Sequence, residues 1–173
     1  MNRTLPWAAA LLLAACSPAL NWRSVPLAGA ALTATLPCKP DHATRTVEMA
    51  GASVELAMAG CEADSATFAI SHTALPDPAR ADAALVHWRA AVLARLEAAT
   101  VLSEQPFAFA GTLPLPSSVR LVAQGRRADG SAVTVQGVWF ARAVGPQVRL
   151  YHAVVYTAQP RPDVASALFA GLN

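Results

Sequence analysis

The stretch that decides the fold runs from residue 119 to residue 157: VRLVAQGRRADGSAVTVQGVWFARAVGPQVRLYHAVVYT. Apolar and polar residues alternate through much of it, which is typical of β-strands. Asp129-Gly130 and Gly145-Pro146 interrupt the alternation, and Asp-Gly between two such runs is a strong hairpin signal. We therefore predict three consecutive antiparallel strands at 119–124, 132–142 and 147–157. The last strand is apolar on both faces, so we expect it to be central in the sheet.

Shorter strands are predicted in the first half of the chain. Residues 31–36 alternate between apolar and polar side chains. Gly51 lies between two strand-like runs at 44–49 and 53–59, which predicts a hairpin. A further short strand is predicted at 67–71. The prolines at positions 18 and 26 predict that the segment before residue 31 is irregular, because proline lacks the backbone donor of a regular element.

A helix is predicted between the two groups of strands, over residues 79–99. Asp77 is suited to cap it and Pro78 to occupy its first position. No glycine or proline interrupts this segment, and its apolar residues recur every three or four positions. They are Leu85, Trp88, Val92 and Leu96. A short closing helix is predicted over 164–171, with Asp163 as its cap.

This order of elements predicts an α+β fold in a single domain, residues 31–173. Hairpins dominate, so the sheet is expected to be mostly antiparallel. One long helix is expected to pack on the sheet, together with a short C-terminal helix.

The amino terminus has the features of an export signal. Arg3 provides a positive charge, and residues 5–15 are uncharged. This run is shorter than the roughly 20 residues of a membrane-spanning helix, and its length suits the apolar region of a signal peptide. One interpretation is an ordinary signal peptide in which Cys16 merely lies near the cleavage site.

Leu13-Ala14-Ala15-Cys16 closely resembles the lipobox of bacterial lipoproteins. The resemblance implies a signal peptide at 1–15, cleavage before Cys16, and a lipidated tether at 16–30. It also implies a diacylglyceryl group on the Cys16 sulfur and acylation of the new amino terminus. Several fatty chains give stable anchoring, whereas a single chain binds only marginally. Ser17 stands where an Asp would favour the inner membrane, so we expect a periplasm-facing location at the outer membrane.

The remaining cysteines predict a disulfide bond. The chain has three cysteines, and lipidation of Cys16 leaves Cys38 and Cys61. An even number of cysteines in an exported protein is most simply a structural bridge. The alternative is a redox or metal-binding pair, but neither cysteine lies in a Cys-x-x-Cys motif or beside a suitably spaced histidine.

Charge and composition exclude some classes of partner. The chain carries 13 Lys and Arg against 11 Asp and Glu, and removal of the leader takes away one more positive charge. A nearly neutral domain is not expected to bind nucleic acid or to bind membranes through a polybasic surface. We expect the membrane, through acylated Cys16, as the main partner, and an envelope protein as a second one.

The order of elements is also similar to the PsbP-like α/β fold. The residues that carry this resemblance are Leu36-Pro37 after the first strand, Gly111 before the meander, and Leu168-Phe169 near the end. The resemblance covers most of residues 30–173. It implies a binding or accessory subunit, often without enzymatic activity, and it provides no functional residues for this chain.

The sequence offers no recognisable catalytic or metal site. Its histidines show no metal-ligand spacing, and there is no Gly-x-Ser-x-Gly motif, glycine-rich phosphate loop or evident carboxylate pair. The histidines are His42, His72, His87 and His152. We therefore predict no catalytic residue, no metal and no cofactor. Solvent or structural roles are expected for the histidines.

Two other groups of residues are candidates for surface roles. Arg126 and Arg127, near Asp129, are expected in a solvated turn, with contact to an acidic lipid head or partner protein as the alternative. Trp22 and Trp139 are the aromatic candidates for an exposed surface, and core packing is favoured for Trp139.

The function predicted from the sequence is a lipid-anchored, non-enzymatic binding or accessory module of the cell envelope. One alternative is a carrier that holds a small apolar ligand between sheet and helix. A second alternative is a hydrolase whose nucleophile, base and acid come together only on folding.

Overall fold

The computed structural model describes residues 19–173, so the predicted leader, Cys16 and Ser17 lie outside the described residues. The described part contains nine strands and two helices. They are β1 (Arg23–Leu27), β2 (Leu32–Leu36), β3 (Asp41–Met49), β4 (Ala52–Ala63), β5 (Ala66–Leu75), α1 (Ala81–Leu93), β6 (Glu97–Pro106), β7 (Val119–Arg126), β8 (Ala132–Val144), β9 (Gln147–Thr157) and α2 (Pro162–Ala170). A short 3₁₀ turn, Pro78–Arg80, leads directly into α1.

Strands β3 to β9 form one antiparallel sheet in the order β3-β4-β5-β9-β8-β7-β6. The predicted central position of β9 is confirmed. The predicted turn between β7 and β8 is also present, and Asp129 Oδ1 accepts hydrogen bonds from the backbone N (2.9 Å) and hydroxyl (2.6 Å) of Ser131. The predicted α+β class with a mostly antiparallel sheet is therefore confirmed.

The sheet separates two layers. Helix α1 covers one side, which we call the α1 face, and its Leu85 and Trp88 are buried there against strand residues. A two-stranded sheet of β1 and β2, together with α2, covers the other side, which we call the hairpin face. On that face Leu168 and Phe169 pack in one cluster with Phe140. Alternation along each strand therefore gives each side a core. A smaller cluster on the α1 face consists of Val133, Val135 and Val154.

The hairpin face is fastened at two further points. The predicted disulfide is confirmed, because Cys38 at the end of β2 is bonded to Cys61 of β4 with their Cα atoms 6.0 Å apart. At the carboxyl end, Asn173 and Thr33 exchange two backbone hydrogen bonds of 2.9 and 3.0 Å. These links attach the small sheet to the large one and to the end of α2.

Helix α1 is attached mainly through its first two turns and its middle. Asp82 accepts hydrogen bonds from the backbone N (3.0 Å) and the hydroxyl (2.6 Å) of Ser117. Arg89 forms an ion pair with Glu104 of β6 at 2.8 Å. These bonds join α1 to the loop before β7 and to the edge strand β6.

The prediction that the long helix continues to residue 99 is wrong. The helix ends at Leu93, and Glu97–Pro106 forms the edge strand β6. Ala98 has a positive φ of 51°, which an α-helix does not tolerate. No proline or glycine marks the change, but pairing with β7 provides backbone hydrogen bonds to this β-branched stretch. Tertiary pairing has overridden local helix propensity here.

The prediction that the segment before residue 31 is irregular is also wrong. Residues Arg23–Leu27 form β1, with Pro26 opposite Thr33 of β2. Proline is tolerated in an edge strand because only one side of such a strand needs its backbone donors. Val25 and Leu27 turn their side chains into the core of the hairpin face.

The two helices begin differently from each other. Asp77 Oδ1 accepts a hydrogen bond from Ala79 N at 3.0 Å, so the predicted cap before Pro78 is present. The prediction that Asp163 caps the closing helix is wrong. Helix α2 begins at Pro162 after Arg161, and Asp163 lies in its first turn instead of at the capping position.

Candidate functional site

A cleft lies between the last turns of α1 and the α1 face of the sheet. Its volume is about 220 Å³. Four residues of the helix side and eight of the sheet line it, most of them apolar. They are Arg45, Leu56, Met58, Ala69, Ser71, Trp88, Ala91, Val92, Arg95, His152, Val154 and Tyr156. The cleft lies beside the last turn of α1, which ends at Leu93.

Aromatic rings of Trp88 and His152 line the cleft, and the fully buried Trp139 packs against His152. Trp139 of β8 and His152 of β9 are directly opposite in register, and their rings stack at 4.2 Å with planes inclined by 16°. Trp88 of α1 meets the His152 ring edge-on at 5.6 Å. A Cβ at Gly137 would lie 3.0 Å from Trp139 and 3.2 Å from His152 Nε2. Glycine at this position therefore leaves room for both rings to lie flat on the sheet.

Burial makes His152 a neutral side chain. Desolvation lowers the pKa of His152 to about 3, since the charged imidazolium is disfavoured away from water. Within the described residues its Nε2 has no hydrogen-bond partner, and neither has Trp139 Nε1. At neutral pH this ring therefore adds a polar but uncharged surface to the cleft.

Two further polar groups face the cleft. Ser71 of β5 is buried and lies opposite His152 in register. Tyr156 is partly buried, and this burial raises the pKa of its phenol. The positive charges of Arg95 and Arg127 lower the same pKa, but by less. Tyr156 is therefore a neutral hydrogen-bonding group at physiological pH.

Two arginines stand at the opening. Arg45 comes from the edge strand β3 and Arg95 from the turn after α1, and both are solvent-exposed. In the part of the chain that the structure describes, neither forms an ion pair with a carboxylate, and no Asp or Glu lines the cleft. The cleft therefore combines an apolar interior with a positively charged entrance, an arrangement suited to binding a small molecule.

A second depression, of about 340 Å³, lies on the hairpin face beside the β1–β2 turn. It brings together His42, Glu55 and His72, of which only His72 is buried. Nδ1 of His72 lies 3.0 Å from a guanidinium nitrogen of Arg149. Arginine has no acceptor, so this His72 nitrogen carries no proton and accepts the bond.

The chemistry of the histidines does not favour a hydrolase. Burial and then the charge of Arg149 lower the pKa of His72 to about 4, so His72 is a weak base that an arginine orients. Ser71 and His152 share the first cleft, but among the described residues no carboxylate lines it and no hydrogen bond joins the two side chains. Within residues 19–173 no three His, Cys, Asp or Glu side chains are placed to hold a metal ion.

The other residues that the sequence analysis singled out lie outside the two depressions, either at the surface or in the core. His87 and Arg127 are exposed, and Arg126 donates a hydrogen bond to the Gly130 carbonyl at 3.2 Å. Core packing of Trp139 is confirmed, because that side chain is fully buried. Trp22 is half-buried and meets Phe68 edge-on. A lipid or protein contact through the arginines stays a prediction.

Sequence reasoning missed the residues that form the cleft entrance. Arg45 and Arg95 are fifty positions apart along the chain, and the sheet order alone brings them to one site. Part of the signal was present, because Trp88, Val92 and Arg95 follow a helical spacing. The premature end of α1, beside which the cleft lies, was not visible in the pattern.

No helix within residues 19–173 combines the length and the apolar character that crossing a membrane would require.

Comparison with known proteins gives no family. No family model matches the chain, and no curated protein matches it. Among solved structures, the chain is similar to the protein of unknown function PA94 from Pseudomonas aeruginosa, with a TM-score of 0.36 and 17% identity. That match covers 79% of this chain and 83% of the other. A likeness at this level carries no functional conclusion, so the site itself is the basis for inferring a function.

Proposed function

We propose that this protein is a non-enzymatic binding module, anchored by lipid on Cys16 to the periplasmic side of the outer membrane, that holds a small apolar ligand. The observation that carries the binding role is the cleft on the α1 face. Leu56, Met58 and Val92 supply apolar walls, while the rings of Trp88 and His152 supply aromatic surface. Apolar walls with a few polar groups are the usual composition of a small-molecule site.

The resemblance to the lipobox supports the anchor. It predicts that Cys16→Ser abolishes both the acyl mass and recovery in the membrane fraction, measured by mass spectrometry and by fractionation of cells. Ser17→Ala is the matched control and should leave both unchanged. Ser17→Asp should shift the protein toward the inner membrane. Wild-type protein recovered from the soluble fraction with an unmodified amino terminus would refute the anchor.

The binding role is tested with an apolar fluorescent dye such as N-phenyl-1-naphthylamine. The dye should gain fluorescence on binding the wild-type protein. Ala91→Trp places a large ring in the cleft and should abolish the gain, because the cavity of about 220 Å³ is then filled. Ala83→Trp is the control, since Ala83 is an exposed residue of the same helix outside the cleft. Equal binding by both variants would contradict the role of the cleft.

A further inference from the structure

We infer that the ligand of the α1-face cleft is an amphipathic monocarboxylate, with its carboxylate held between Arg45 and Arg95 and its hydrocarbon tail inside. This inference rests on the proposed binding function and specifies the chemistry of the ligand. Its basis is the combination of two uncompensated guanidinium groups with an apolar cavity. Guanidinium groups recognise carboxylates through paired N–H donors.

The charge at the entrance has no internal explanation. The ion pairs within residues 19–173 join Arg89 to Glu104 and Arg161 to Asp64, and neither Arg45 nor Arg95 takes part in them. Arg45 and Arg95 share a cleft that no acid of the described chain lines. Charge complementarity therefore favours an anionic group at this entrance over a neutral or cationic one.

The end of α1 does not cancel this charge. The carboxyl end of a helix carries partial negative charge on its last carbonyls. Here Ala94 N donates to Ala90 O at 2.9 Å and Arg95 N donates to Val92 O at 3.2 Å. These carbonyls are therefore satisfied by backbone donors, and the Arg95 guanidinium remains free to meet an external anion.

The interior of the cleft limits the size of the tail. A volume of about 220 Å³ is below the roughly 300–1,000 Å³ of most ligand pockets, so a short tail suits it better than a long one. Met58, Val92 and Val154 line it and offer no charge. Burial keeps His152 neutral, as its pKa of about 3 shows, so a tail meets no cation inside. A carboxylate with a short hydrocarbon tail, such as octanoate, suits both parts of the site.

Titration calorimetry with octanoate and octan-1-ol separates the contribution of the carboxylate to binding from that of the hydrocarbon tail, because the two ligands share the tail and differ in charge. The full chain carrying Cys16→Ser needs no detergent and is the protein to use. We expect octanoate to bind at least about tenfold more tightly than octan-1-ol, and only octanoate binding should weaken with added salt. Arg45→Gln combined with Arg95→Gln should remove most of this difference, because neutral amides do not attract a carboxylate.

Arg23→Gln is the matched control, because Arg23 is exposed on the hairpin face and bonds the Asn21 carbonyl. Equal binding of both ligands to the wild-type protein would overturn the inference and leave the binding function standing. Binding of neither ligand, together with a failed dye assay, would overturn both. The salt dependence of the unsubstituted site keeps the test valid even if the double variant does not fold.

Discussion

The two faces of the central sheet are built from the same strands but are covered to different extents. On the hairpin face, Phe68, Tyr151 and Leu168 are completely buried, and the disulfide and the paired carboxyl end close the layer. On the α1 face, a helix of 13 residues covers only part of the surface and leaves a cleft beside its last turn. The core of the hairpin face is filled, and its depression of about 340 Å³ lies at the edge beside the β1–β2 turn, whereas the cleft of the α1 face lies between the helix and the sheet.

The aromatic residues make the same contrast. Tyr151 stacks on Phe140 at 4.9 Å and donates its hydroxyl to the Ala30 carbonyl, so a polar tip is satisfied inside the hairpin face. His152, the next residue of β9, stacks on Trp139 but leaves Nε2 without a protein partner in the described chain. Of these two neighbouring residues of β9, Tyr151 therefore has its polar atom paired inside the hairpin-face core, whereas His152 has an unpaired ring nitrogen on the α1 face.

The largest effect should come from removing the same side chain on each face. Leu168→Ala in the hairpin face should lower the free energy of unfolding by about 4 kcal/mol, because the fully buried site cannot collapse. Leu56→Ala, in the wall of the cleft, should cost about 2 kcal/mol, since its surroundings already contain open space. Urea unfolding measures both, and equal losses would erase the contrast between the faces.

The second effect concerns the disulfide on the hairpin face. Replacing Cys38 and Cys61 by serine should lower the free energy of unfolding by about 3 kcal/mol, because the unfolded chain regains the entropy of a loop. Dye binding at the cleft on the other face should persist. Wild-type protein with a reducing agent is the control and should match the double variant. A simultaneous loss of binding would mean that the faces are coupled.

The third effect is a pH dependence of the unfolding free energy, to which one buried histidine on each face contributes. The folded-state pKa is lowered from 6.5 to about 4 for His72 and to about 3 for His152. Below pH 6.5 the unfolded chain takes up protons that the folded chain refuses, so stability falls as pH decreases. Between pH 6 and pH 5 we expect a loss of about 2 kcal/mol in total, above the range where most carboxylates titrate.

Single variants assign this pH dependence to one face or the other. His72→Gln and His152→Gln should each reduce the slope of unfolding free energy against pH by about half. His87→Gln, at an exposed position of α1, should leave the slope unchanged. The slope is the quantity to compare, because either buried substitution also changes stability at every pH. An unaltered slope in both buried variants would show that these rings are not held neutral by the fold.

Local chemistry made the disulfide and the meander predictable, while pairing partners decided the rest. Asp129-Gly130 marks its turn because the residue types suit the backbone there. The stretch over 97–106 carries no such mark, and its conversion from helix to strand depends on β7 as a partner. Pro26 misled the prediction because edge position, unlike local propensity, is a property of the whole fold.

The candidate site was less predictable than the fold. Trp88 and His152 could be assigned to faces from helical and strand spacing. The entrance could not, because Arg45 is brought beside Arg95 only by the order of strands across the sheet. The cleft also lies beside the point where α1 stops, and the sequence pattern placed that point six residues too late relative to the observed Leu93.

The smallest expected effect compares how the helix of each face begins. Asp77→Ala removes the acceptor of the Ala79 N–H bond before α1 and should cost about 1 kcal/mol. Asp163→Ala in α2 removes only an acidic group from the first turn and should cost about 0.4 kcal/mol, through the helix dipole. Unfolding in 1 M salt sharpens the comparison, since screening should erase the Asp163 effect and leave most of the Asp77 effect. If both losses vanish in salt, the bond from Ala79 contributes nothing beyond its charge, and the capping of the 3₁₀ turn that leads into α1 is only electrostatic.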